Sequence, residues 1–274
     1  MTGFFFQTVN TTRSMARIAL TVEYSGAAYC GWQRQKHSPS VQERVEQALS
    51  FVADEPVELV VAGRTDTGVH ACEQVAHFDS TACRTQRSWL LGANCRLPAD
   101  IRLLWVDEID DSFHARFSAV ARSYRYIIYN ESVPSALFHD KVAWEHRPLD
   151  DVMMHEAAQC LIGEHDFSAF RAAGCQAKSP VRNVESVSVT RRDSQVFIDI
   201  KANAFLHHMV RNIVGSLLVI GKGEQPVAWL QQVLQGCDRR LAAMTAPAAG
   251  LYFVRAFYPS HFSLAQRDRR PQLF

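Results

Sequence analysis

Leu59-Val60-Val61-Ala62-Gly63-Arg64-Thr65-Asp66-Thr67-Gly68-Val69-His70-Ala71-Cys72-Glu73-Gln74-Val75-Ala76-His77-Phe78 is the stretch on which the reading of this chain turns. It opens with an apolar run, the end of a buried strand, and closes on a second strand from Glu73 to Phe78. Between the two, a single carboxylate, Asp66, stands between Gly63 and Gly68, with Arg64 two residues before it. Glycines on either side suit a tight loop or a close backbone approach to a ligand. A nearby guanidinium favours the ionised form of a carboxylate. The loop therefore presents one charged group at a strand end, where an enzyme can hold a nucleophile. Taken alone, the same residues also describe an ordinary solvated Asx turn.

Outward from this loop the periodicity changes sign. Ile18–Tyr24 reads as a strand that ends at Ser25-Gly26. Ser40-Val41-Gln42-Glu43 has the form of a capping box, and Val41, Val45, Ala48, Leu49 and Val52 follow at helical spacing. After Phe78 a short helix around Trp89–Arg96 stops at Leu97-Pro98, and Ile101–Val106 is strand-like. The order β-α-β-β-α-β is a split βαβ unit of ferredoxin-like type. A second unit follows the strand Ser123–Tyr129. It has a helix capped by Asp150 that runs through Leu161 and Ile162 to Gly163, and strands near Val184–Val189 and Val196–Ala202. A long apolar helix from about Phe205 to Ile220, a helix opened by Pro226 and a last strand from Leu251 complete it. The pattern predicts an α+β fold of two related halves, 15–111 and 112–264. Residues 1–14 read as a flexible N-terminal extension and 265–274 as a polar, frayed tail.

Composition narrows the class. The 274 residues are 47% hydrophobic and 21% charged, with a net charge of +1, which is ordinary for a globular protein. No global charge excess advertises a polyanionic partner, although a basic groove balanced by acids elsewhere is compatible with one. Seven scattered cysteines include no C-x-x-C pair, which argues against a disulfide framework or structural zinc and suits a reducing cytoplasm. No apolar run is long enough to span a membrane. Gly215–Gly223 misses the P-loop spacing, with five residues between its first two glycines and no Ser or Thr for magnesium. His207 and His208, adjacent on a helix, would point to different sides and make a poor metal pair.

Three basic segments remain. Arg116, Arg122 and Arg125 are interleaved with Phe117, Tyr124 and Tyr126. Arg171, Lys178 and Arg182 form the second group, and His207, His208 and Arg211 the third. Arginines among aromatics suit RNA, guanidinium for phosphate and ring for a base. Alternation puts Tyr124 and Tyr126 on one face and does not choose between them. Helical spacing puts His207, His208 and Arg211 on one stripe. An arginine inside so apolar a helix calls for a buried anionic partner, and Asp66 is a candidate.

With these residues in view, the chain from about Ile18 to Tyr258 resembles the tRNA pseudouridine synthases of the A type. The stretches that carry the resemblance are Gly31–Gln35, Gly63–Ala71, Asn94–Ile101, Phe113–Ala119 running into Arg122–Tyr126, Gly163–Phe170, Phe205–Asn212, Ala246-Pro247 and Gly250-Leu251. Thr67, and Cys72-Glu73, depart from the residues usual there. The resemblance implies isomerisation of uridine to pseudouridine at positions 38, 39 and 40 of the tRNA anticodon stem-loop. It implies two ferredoxin-like, RRM-like halves sharing a central, mostly antiparallel sheet, with a catalytic cleft between them. It further implies a cytoplasmic homodimer that needs neither cofactor nor metal. By the same resemblance Asp66 is the catalytic aspartate, Arg64 and Arg211 are pocket arginines, and Tyr124 stacks on the target base. Arg34, Arg116, Arg122, Arg125, Lys178, Arg182, His207 and His208 are the expected RNA contacts. The alternative from another class is a non-catalytic RNA-binding protein of two ferredoxin-like modules, which would need the basic and aromatic residues but not Asp66.

Overall fold

The computed structural model describes residues 15–265 and 267–272. The elements follow in chain order. β1 is Ala16–Tyr24, α1 Val41–Ala53, β2 Val60–Val61, β3 His70–Ser80, α2 Gln86–Arg96 and β4 Ile101–Glu108. β5 is Ala121–Asn130, β6 Ala143–Glu145, α3 Asp151–Ala158, β7 Gly163–Asp166, β8 Val181–Arg192 and β9 Gln195–Ala202. α4 is Met209–Gly221, α5 Trp229–Gly236 and β10 Leu251–Phe257. All strands join one sheet in the order β4-β1-β3-β10-β5-β9-β8-β7, with β2 on β3 and β6 on β5. Among the described residues only β10 on β3 and β6 on β5 pair in parallel. The chain is thus a mixed α+β protein built on a large, mostly antiparallel sheet.

Local sequence explains the helix starts. Ser40 accepts the amide of Glu43, Thr85 that of Ser88, and Asp150 that of Met153, each satisfying an orphan donor of a first turn. Two cores result. One packs Val41, Val45 and Leu49 of α1 and Trp89 of α2 against Ile18, Leu20, Val75 and Phe78. The other packs α3, α4 and α5 against β5, β8 and β9, with Tyr126, Phe167, Phe170, Ile213 and Leu217 fully buried or nearly so. Tyr124 borders both. β10, last in the chain, lies between β3 and β5 and joins the strands of the first core to those of the second.

Three expectations change. The helix predicted from Phe205 begins only at Met209, because His208 takes a left-handed conformation at φ 59° and breaks the ladder before it can form. The helix predicted from Asp150 through Ile162 stops at Ala158 and continues as a single tight turn, Gln159–Leu161. The tail is not frayed where it is described. The Arg267 amide donates to Glu73, and Arg125 donates to the Pro271 carbonyl, so the segment lies on the sheet. The expected extension, 1–14, lies outside the described residues. All seven cysteines are free. Among the described residues no helix is long and apolar enough to cross a membrane.

His77 of β3 is nearly inaccessible, and its Nδ1 accepts the Ala115 amide at 3.1 Å. Burial, with Arg17 nearby, pushes its pKa down from 6.5 to about 4. Between those values the unfolded chain takes a proton that the folded chain refuses, so stability falls as pH drops from 6.5 towards 4. By urea titration at pH 7 and pH 5, the parent protein should lose about 2 kcal/mol more than His77→Gln. Equal losses in the two proteins would show that His77 does not set this slope.

Candidate active site

The loop Gly63–Gly68 leaves the short β2 and returns into β3, and it is held from below by backbone. The Trp32 amide donates to the Thr65 carbonyl at 3.0 Å, and the Gly68 amide to the Tyr29 carbonyl at 3.3 Å. Gly31 has φ +90°, and a Cβ there would stand 2.6 Å from the Thr65 oxygen. A Cβ on Gly26 would stand 2.0 Å from the Val69 oxygen. Only glycine fits either place. Side chains complete the support. Tyr24 and Thr65 share a buried hydroxyl hydrogen bond of 2.7 Å, and Gln74 donates to the Gly63 carbonyl at 2.7 Å. His70 Nδ1 accepts the Gly26 amide, so its Nε2 carries the proton and donates to the Ala249 carbonyl. Burial pushes the His70 pKa down, which keeps this neutral tautomer.

The polypeptide on the far side of the loop brings three basic side chains to Asp66. His207 Nε2 lies 3.4 Å from one carboxylate oxygen. His208 Nε2 lies 3.3 Å, and Arg211 Nη1 3.6 Å, from the other. The two histidines do not share a helical stripe with Arg211, because they precede α4. The left-handed His208 turns the chain so that adjacent rings face the same carboxylate, 4.0 Å apart between centroids. This also overturns the expectation of a poor metal pair. Asp66, His207 and His208 offer three donor atoms within 4.8 Å of one another, a set that could hold a cation. Burial pushes the His208 pKa below 6.5 against the pull of Asp66. Arg211 is fixed by its own Nε, which donates to the Ala246 carbonyl at 2.8 Å, while the Ala246 amide returns to the Arg211 carbonyl.

Tyr124 of β5 is close enough to feel the carboxylate. It is half-buried, and Phe205 and Phe253 meet its ring edge-on at 4.9 and 5.3 Å. Burial first, then Asp66, push its hydroxyl pKa up, so it is a neutral phenol within electrostatic reach of the carboxylate. Tyr126 is fully buried and donates to the Pro247 carbonyl. Of the two tyrosines that alternation left equivalent, only Tyr124 is at the site.

The other expected contacts divide. Arg64 is exposed and, among the described residues, forms no ion pair with Asp66 or any other acid, contrary to its sequence proximity. Arg116 and Lys178 are also exposed without an acidic partner among the described residues. Arg34 instead pairs at 2.5 Å with the buried Glu46. Arg122 is spent on four carbonyls, those of Ala62, Arg116, Ala119 and Asn203. Arg125 points to the opposite sheet face, where both ends of its fork meet Asp199. Arg182 donates to the Ser179 and Val181 carbonyls. In this arrangement the last four have partners within the fold. Sequence reasoning missed Gly26, Gln74 and the Ala246 carbonyl. Gly26 after the first strand and the Ala246-Pro247 stretch were visible signals, but neither showed its contact with the site.

A family model described as tRNA pseudouridine synthase matches residues 20–118 and 157–259. The chain belongs to that family. The synthase is 58% identical over 250 residues to tRNA pseudouridine synthase A of Hydrogenovibrio crunogenus, covering 91% of this chain and 95% of that one. It is 54% identical over 248 residues to the protein of the same name from Shewanella denitrificans, covering 90% and 95%. A solved Cbf5-Nop10-Gar1 complex is similar at TM-score 0.36 and 11% identity, covering 86% of this chain and 48% of that one. The synthase is therefore an isomerase that converts uridine in tRNA to pseudouridine.

The backbone clamp under the loop gives a direct test. Gly31→Ala forces the Thr65 carbonyl, and Asp66 with it, out of place. A displacement of about 1 Å at a reacting group can cost on the order of 100-fold in rate. We expect kcat/KM on tRNA to fall at least about tenfold, with the far-UV circular dichroism of the parent retained. Parent-like turnover would show that the loop tolerates the shift.

Proposed function

We propose that the synthase isomerises uridines 38, 39 and 40 of the tRNA anticodon stem-loop, with Asp66 as its catalytic carboxylate. The observation that carries this is the convergence of His207, His208 and Arg211 on one half-buried carboxylate next to a neutral tyrosine ring. The reaction breaks the N1–C1′ bond, turns the freed uracil and forms a C5–C1′ bond. The C5 proton is lost and N1 gains one, so the atoms balance without water or a redox partner. Asp66 would attack C1′, or stabilise an oxocarbenium-like centre there while a proton leaves C2′. Either path needs one carboxylate placed against the sugar. Glycosidases meet a similar charge problem with two, because their leaving group departs for good.

Arg211 holds the carboxylate from the α4 side, and Tyr124 supplies a face for a base that has left its stack. Arg64, exposed on the same loop, is free to meet RNA. Two ferredoxin-like halves remain the reading of the sheet. Its support is that the order β4-β1-β3-β2 in the first half is repeated as β10-β5-β9-β8 in the second. As the A-type resemblance implies, we take the enzyme to be a cytoplasmic homodimer working without a cofactor.

Release of hydrogen from C5-labelled uridine in tRNA tests the assignment. Asp66→Asn should abolish release while tRNA binding remains measurable, and substantial turnover by this variant would refute the role of Asp66. In Tyr124→Phe the ring stays and the hydroxyl goes. Near-parent turnover is expected if the residue only stacks, and a large fall in kcat would give the hydroxyl a chemical role.

A further inference from the structure

We propose that Phe117 is a stacking platform for a second base of the tRNA, distinct from the one that enters the Asp66 site. The ring is 75% exposed, yet it is built into position. His114 lies under it, with ring centroids 4.3 Å apart and planes 28° from parallel. His114 is itself locked. Its Nδ1 accepts the Arg116 and Phe117 amides at 3.2 and 3.1 Å, and its backbone and Ser118 exchange two further hydrogen bonds. His77 meets the other side of the imidazole edge-on at 4.9 Å. An exposed aromatic of no function would have no need of so fixed a support.

The platform is tied to the chemistry. One guanidinium, that of Arg122, donates to the Arg116 carbonyl at 2.6 Å and to the Ala62 carbonyl at 3.3 Å. Ala62 immediately precedes Gly63, the first residue of the catalytic loop. The same side chain reaches the Asn203 carbonyl at the end of β9. These bonds tie the backbone next to Phe117 to the backbone next to the catalytic loop.

Its chemistry suits a nucleobase. No carboxylate occurs from Ser112 to Asn130. The Arg116 guanidinium stands 5.5 Å from the ring centroid, without an acidic partner among the described residues, within reach of a phosphate. Every base has a π-face, and a hydrocarbon ring stacks on it without reading its identity. The inference rests on the family's tRNA substrate and not on the assignment of Asp66.

Equilibrium binding of unmodified tRNA provides the test. Phe117→Ala should raise Kd roughly 5- to 150-fold, the range set by one lost base–aromatic stack, with the loss falling on KM rather than on kcat. Phe117→Tyr and Phe117→Trp should bind like the parent. The tryptophan added in Phe117→Trp should be quenched by tRNA, beyond any change in the parent's own fluorescence. An unchanged Kd in Phe117→Ala, or an unquenched tryptophan, would overturn the proposal. So would a fall in the sedimenting mass of Phe117→Ala, which would make the ring a contact between subunits. Because binding is measured directly, failure here leaves the Asp66 reading standing, and failure of Asp66→Asn leaves this one.

Discussion

The site depends on one close approach of backbone to backbone. The loop that carries Asp66 rests on the segment Gly26–Trp32, and the Thr65 and Val69 carbonyls occupy the space where Gly31 and Gly26 would have side chains. A polar loop held only by solvent would let its carboxylate wander by more than the reaction tolerates. Here the amides of Trp32 and Gly68 are consumed across the interface. Asp66 thereby inherits the rigidity of β1 and β3 while its own side chain stays free of backbone donors. The fixed geometry lies underneath and the chemical group stands on top.

The second half of the site is delivered by a break in regular structure. A helix running unbroken from Phe205 would have splayed His207 and His208 apart. The left-handed turn at His208 gathers them instead, and it lets α4 begin with Arg211 in its first turn, facing the carboxylate. The Ala246 carbonyl takes one guanidinium nitrogen and leaves another for Asp66. A non-glycine residue at positive φ costs of order 1–3 kcal/mol and persists only where its surroundings over-determine it. Its place beside the one carboxylate of the site is consistent with strain kept for function.

Much of this was legible in the sequence, for reasons that particular residues make plain. Ser40 and Asp150 announced their helices because a cap is a local interaction. Ile18–Tyr24 and the strands of the second half followed from alternation. The pairing of Arg211 with Asp66 was legible because a charge in an apolar helix has few places to go, whereas the glycines around Asp66 alone left an ordinary turn equally open. What escaped depends on contacts far along the chain. Nothing in the composition near Arg122 distinguishes it from Arg116, yet Arg122 meets carbonyls from Ala62 to Asn203 while Arg116 faces solvent. Arg125 differs for a simpler reason: alternation puts it on the face opposite Tyr124, where it meets Asp199.

The division among the arginines bears on how a nearly neutral protein handles RNA. Arg122 and Arg125 are engaged within the fold, and Arg34 and Arg182 partly so, so the charge available to a polyanion is smaller than the basic segments suggest. Arg64, Arg116 and Lys178 remain exposed, with no acidic partner among the described residues. Phosphate contacts confer affinity but little position, and each adds salt dependence. Geometry has to come from rings: Tyr124 between the two large cores and Phe117 on its histidine. One internal arginine serves those rings: Arg122 links the residue before the loop that holds the carboxylate to the turn that holds Phe117.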